Sequence, residues 1–112
     1  MERVRTHGAF IQEVATTKHL KTGQKLLKEA KPAQLDALCE IILNILRGNI
    51  PLEKRARNKA GKHKTVLRKL AKKCLKKVIR KKLFIKYFTI IKKVISTVLP
   101  FIGIALTTAQ LL

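Results

Sequence analysis

The chain has 112 residues, with 26 Lys and Arg against 6 Asp and Glu, for a formal net charge of +20. One small domain of this length leaves little core to hold an active site rigid, which argues against a self-contained enzyme. A compact globule so charged repels itself, so a polyanionic partner is expected.

The charge is zoned. All six acids (Glu2, Glu13, Glu29, Asp36, Glu40, Glu53) lie in residues 1–53, where eight basic residues against six acids give +2. Residues 54–93 hold the other eighteen basic residues and no acid. Residues 94–112 carry no charged side chain. The expected organisation follows: a near-neutral N-terminal helical region over 1–53, a basic nucleic-acid-binding helix over 54–93, and an apolar C-terminal tail over 94–112. The first residues lack the apolar stretch of a secretory signal, so the chain reads as not secreted and Cys39 and Cys74 as reduced thiols.

In residues 10–29, Phe10, Ile11 and Val14 fit one helical face, Gly23 interrupts, and Lys25 to Ala30 resumes the pattern. One or two short helices are expected. The clearest helix spans 32–47. Pro32 suits a first turn, and Leu35, Leu38, Ile42 and Ile45 recur at helical spacing. Asp36 near the start and Arg47 at the end both favour the helix dipole. Gly48 is placed for a left-handed cap, and Ile50-Pro51 confirms the break.

A second helix is expected from Pro51, weak at first and weakened again by Gly61. From His63 the apolar residues fall in two rows, 66/70/74/78 and 67/71/75/79/83, with lysines and arginines between them. The spacing of four makes the stripe wind slowly round the helix. The reading is one long basic amphipathic helix; about 30 residues would span roughly 45 Å. Over 83–91 the flanking pattern favours continued helix over a strand.

Backbone neutralisation is the chemistry this zone supplies. Eighteen cations would neutralise about 18 phosphates, or roughly nine base pairs of duplex. The expected contacts are Lys54, Arg55, Arg57, Lys59, Lys69, Lys72, Lys73, Lys76, Lys77, Arg80, Lys81 and Lys82. Aromatic residues are scarce and Asn58 is the zone's one side-chain amide, so neither base stacking nor base-edge reading is indicated. The helix–Gly48–helix arrangement, with Pro51 to Lys59 in the second helix, is a lesser reading as a helix-turn-helix. The clusters Lys54-Arg-Ala-Arg and Lys76-Lys-Val-Ile-Arg-Lys-Lys match nuclear localisation signals, a pattern that arises by chance in any basic chain.

The tail from Val94 to Leu112 has three readings: packing as core, contact with other protein subunits, and insertion in a membrane. Ser96, Thr97, Thr107, Thr108 and Gln110 dilute it for spanning, and Pro100 and Gly103 divide it. Cys39, Cys74, His7, His19 and His63 show no metal-ligand spacing, and no phosphate-binding glycine loop or paired-carboxylate site is present in the basic half. No metal, cofactor or catalytic residue is expected.

The run Gln34-Leu-Asp-Ala-Leu-Cys-Glu-Ile-Ile-Leu-Asn-Ile-Leu-Arg-Gly-Asn-Ile-Pro-Leu, followed by His63-Lys-Thr-Val-Leu-Arg-Lys-Leu-Ala, resembles small basic proteins of Polinton/Maverick-type elements and adintoviruses. The likeness is carried by Ala37, Leu38, Glu40, Asn44, Leu46, Gly48, Asn49, Ile50 and Leu52, then by Lys64, Leu67, Arg68, Leu70 and Ala71. It covers most of residues 10–82. That family is in turn similar to the adenovirus core protein X, a DNA-condensing virion component. The tail departs from the family pattern, with Phe101-Ile-Gly-Ile and no Gly pair, and Leu46-Arg-Gly-Asn lacks the final glycine of an adenovirus-type protease site.

The expectation is therefore an all-α chain: a small N-terminal helical bundle, a long basic amphipathic helix and an apolar C-terminal segment. The resemblance implies a virion core protein that condenses viral double-stranded DNA through its phosphates, in the virion interior or host nucleus. The apolar tail would tie it to capsid proteins or to itself. The alternative is a membrane-active or membrane-anchored minor capsid protein, with the basic helix on anionic lipid and the tail inserted.

Overall fold

Helix boundaries fall where the sequence punctuates them. The computed structural model describes residues 2–74 and 76–101, except for the side chains of Lys73 and Lys77. Every regular element among these residues is helical. In chain order they are α1 (Glu2–Thr6), α2 (Gly8–Thr16), α3 (Leu20–Lys28), α4 (Pro32–Leu46), α5 (Lys54–Gly61), α6 (Lys64–Cys74), α7 (Lys77–Lys86) and α8 (Phe88–Val98), then a 3-10 turn (Leu99–Phe101).

Helix α4 forms as its caps predict. Pro32 sits in the first turn, and the Gln34 Oε1 accepts from the Lys31 N–H at 2.8 Å. At the far end Gly48 takes φ +72°. The Gly48 N–H donates to the Ile45 carbonyl at 3.2 Å and the Asn49 N–H to the Asn44 carbonyl at 3.0 Å. This is the paired-bond left-handed cap that satisfies terminal carbonyls, and a side chain at Gly48 would be strained.

One apolar core collects residues from every charge zone. Ile11 and Val14 of α2, Leu38, Ile41 and Ile42 of α4, Leu67 and Leu70 of α6, Phe84 of α7, and Phe88, Ile91 and Ile95 of α8 are buried in it. Helix α4 packs on α6, α3 on α7, and α8 on both α2 and α5. The Ser96 hydroxyl donates to the Ala15 carbonyl at 2.9 Å, tying α8 to α2. Gly23 does not interrupt its helix. It lies inside α3, buried, where the Phe88 ring lies on it so closely that an added Cβ would overlap the ring.

The single long basic helix is corrected. The segment 54–93 is α5, α6, α7 and the start of α8, with breaks at Lys62–His63, before Lys77 and at Tyr87. The molecule's longest extent is 36 Å, too short for a straight helix of about 45 Å. The winding stripe is the physical reason. Leu67, Leu70 and Cys74 face α4, but Val78, next in the 66/70/74 row, is 88% exposed. Lys76 leaves helical dihedrals (φ −104°, ψ 85°), and the burial resumes at Arg80 and Phe84 instead. The break re-aims the apolar face, so α6 covers α4 while α7 covers α3.

Two further expectations change. Cys39 and Cys74 are not free thiols: they are disulfide-bonded, joining α4 to α6 with their Cα atoms 5.9 Å apart. Both are buried where these helices meet, a separation and setting that a disulfide requires. The helix-turn-helix reading also fails, because α5 packs on α8 and it is α6 that packs on α4. As for the tail, Val94, Ile95, Val98 and Leu99 are core residues. The remainder of that segment, 102–112, lies outside the described residues. Among the described residues no helix is long and apolar enough to cross a membrane.

Candidate nucleic-acid interface

Helices α5 and α6 turn apolar residues inward and leave their described cations outside. Ala56 and Ala60 are the buried residues of α5, while Lys54, Arg55, Arg57 and Lys59 are exposed. On α6, Leu67 and Leu70 point inward, and Lys69 and Lys72 are exposed. Lys76 and Lys82, before and within α7, are exposed too. Eight of the twelve expected phosphate contacts thus lie on the surface. The side chains of Lys73 and Lys77 fall outside the described set.

Arg80 is a correction. Its residue is 2% exposed, so it has no surface to offer a phosphate. One guanidinium nitrogen bonds the Asp36 carboxylate and the other donates to the Pro32 carbonyl at 3.0 Å. A buried guanidinium demands such partners, because an uncompensated charge out of water is costly. Lys81 is also engaged internally: its ammonium donates to the Lys28 and Ala30 carbonyls, at 3.0 Å each. A cation at the C-terminal end of α3 satisfies orphan carbonyls and complements the helix dipole.

The other described cations of the zone have no carboxylate partner. Three ion pairs occur among the described residues, Arg3–Glu40, Lys25–Glu29 and Arg80–Asp36, and only Arg80 comes from residues 54–93. Lys69 has another kind of partner. Its ammonium donates to the Tyr87 hydroxyl at 3.3 Å, and Lys69 and Lys86 lie 5.6 and 5.5 Å from the ring centroid. The bond from Lys69 holds the Tyr87 phenol below its usual value. Desolvation opposes this, and the charges of Lys69 and Lys86 reinforce it.

The fold also assembles a site that sequence reasoning missed. Lys59, Lys62, His63, Lys92 and Lys93 line one cleft of about 540 Å³ between α5 and α8. Val94, Ser96 and Thr97 complete its wall, and no acid does. The two hydroxyls are turned to backbone carbonyls, Ser96 to Ala15 at 2.9 Å and Thr97 to Lys93 at 2.8 Å. The ammonium groups are therefore the cleft's chemistry. In the sequence Lys92-Lys93 reads only as the charged edge of an apolar tail. The available signal was the lack of acids throughout 54–93, which made every cation there a candidate.

Among the described residues no group of three His, Cys, Asp or Glu side chains is placed to hold a metal. Compared with known protein families, curated proteins and solved structures, the chain matches none.

Proposed function

We propose that this protein binds double-stranded DNA without sequence preference and condenses it by neutralising phosphates. One observation carries the reading. The described cations of residues 54–93, Arg80 apart, have no carboxylate partner, although six acids exist in the chain. Stability does not call for an unpaired density of this kind, since mutual repulsion weakens a compact state. A polyanion relieves it. Exposed Lys54, Arg55, Arg57, Lys59, Lys69, Lys72, Lys76 and Lys82 supply the contacts. The place of action, a virion core or host nucleus, is supported by the resemblance of the Gly48-Asn49-Ile50-Pro51-Leu52 block and the Lys64 to Ala71 block to the element-encoded basic proteins.

A second reading has its own observation. Val78 and Ile79, 88% and 39% exposed, stand among lysines at the start of α7, a combination suited to adsorption on anionic lipid. A salt titration of binding to random duplex DNA separates the two when run beside neutral and anionic liposomes. The DNA reading expects a log–log slope reporting more than about eight phosphates and no binding to neutral liposomes. A shallow slope with salt-resistant binding to neutral liposomes would replace it with the lipid reading.

A further inference from the structure

We propose that the cleft between α5 and α8 is a discrete site for clustered phosphate groups, occupied by a free oligophosphate or by consecutive phosphates of a bound strand. It deepens the polyanion reading, on which only its nucleic-acid arm rests.

The placement of charge is the argument. Lys59 and Lys62 come from the end of α5 and the turn after it, and Lys92 and Lys93 from the middle of α8. Packing of Ala56 and Ala60 toward α8 brings these remote segments to one concavity. Lys54, Lys72, Lys76 and Lys82, by contrast, are exposed surface cations that solvent screens. Here four ammonium groups and His63 share a cleft of about 540 Å³ lined by no acid. None of the four lysines has a hydrogen bond or ion pair among the described residues. A concave wall of one sign focuses its field and concentrates counter-ions. A single phosphate diester would neutralise one of the four charges, whereas a chain of phosphates matches them all. Charge-assisted hydrogen bonds from ammonium to phosphate oxygen then add to the field. Glu53 lines the adjoining crevice with Lys59, Ser96 and Thr97 rather than the cleft.

The test is calorimetric titration of the full chain with inorganic tripolyphosphate. Three proteins are compared: the wild type, Lys62→Ala/Lys93→Ala in the cleft, and Lys18→Ala/Lys21→Ala on the surface of the first half. All four positions are exposed, so circular dichroism should show each variant folded. The expected result is saturable one-to-one binding, weakened at least about tenfold by the cleft pair and less than about twofold by the surface pair. Equal weakening by both pairs, or binding without a fixed stoichiometry, would overturn the site. Random duplex DNA titrated in parallel keeps the two ideas apart. Tripolyphosphate binding that survives while DNA binding is absent would sustain the cleft and remove the DNA reading. DNA binding without saturable tripolyphosphate binding would do the reverse.

Discussion

Helices α1–α4 and α5–α8 build their inner faces alike and their outer faces differently. Both halves bury aliphatic and aromatic side chains in one core. In the first half charges are answered: Arg3 meets Glu40, Lys25 meets Glu29, and the net charge over residues 1–53 is eight against six. In the second half the acids are missing, and among the described residues the one cation paired with a carboxylate, Arg80, reaches Asp36 of the first. The apolar pattern of each half thus contributes to one shared core. Most of the described outer cations of α5–α7 have no carboxylate partner, which is why a ligand is the natural account of them.

The widest gap between the halves should appear in binding. Replacing Lys54, Lys59, Lys72 and Lys82 with Ala removes about four phosphate contacts. It should weaken random-duplex affinity about a thousandfold near 0.1 M salt, leaving the helical dichroism intact. Four exposed changes in the first half, at Lys18, Lys21, Lys25 and Lys28, would sharpen the contrast if they cost far less. An equal loss would show that total charge alone matters.

Next comes the ionic link between the halves. Asp36→Ala strands a buried guanidinium and should cost about 3–5 kcal/mol in denaturant unfolding. Arg80→Met, which removes the buried charge itself, should cost much less. If the two variants lose the same stability, the pair is not the link it is taken for. Gly23→Ala tests apolar continuity across the same boundary. The new methyl meets the Phe88 ring, and a loss of about 1–3 kcal/mol in thermal or denaturant unfolding is expected. The smallest effect belongs to the exposed Lys25–Glu29 pair. Glu29→Gln should change stability by no more than about 0.5 kcal/mol, and less at high salt.

Legibility followed the same division. Helix α4 could be read almost to the residue, because Pro32, Gly48 and Pro51 act on the backbone locally. The inward face of α6 was visible as periodic apolar residues, while α8 was divided between a continuous apolar stretch and a tail with several readings. The break before Lys77 was not, since no glycine or proline marks it. It arises because a stripe repeating every four residues drifts off the core, and the chain turns to recover burial at Phe84. Arg80 was misread for a related reason: within a run of lysines nothing local distinguishes the one cation that a distant carboxylate will claim. Gly23 looked like a helix breaker, yet its role is to admit a ring from α8. The phosphate cleft was illegible because its two walls lie far apart in the chain and only helix packing unites them. The disulfide was missed by arguing from cellular context, where the deciding fact was the facing burial of Cys39 and Cys74.

That disulfide has a topological consequence. With a sequence separation of 35, it closes a covalent ring that contains the end of α4 with its cap and all of α5 and α6. The exposed turn around Arg47, Gly48 and Asn49 lies within the ring and is an inviting target for trypsin. One cut there would open the ring without severing the molecule. The nicked chain should migrate as a single species on a denaturing gel until a thiol reductant separates it into two, so the most cation-rich stretch would stay tethered after the backbone has been broken.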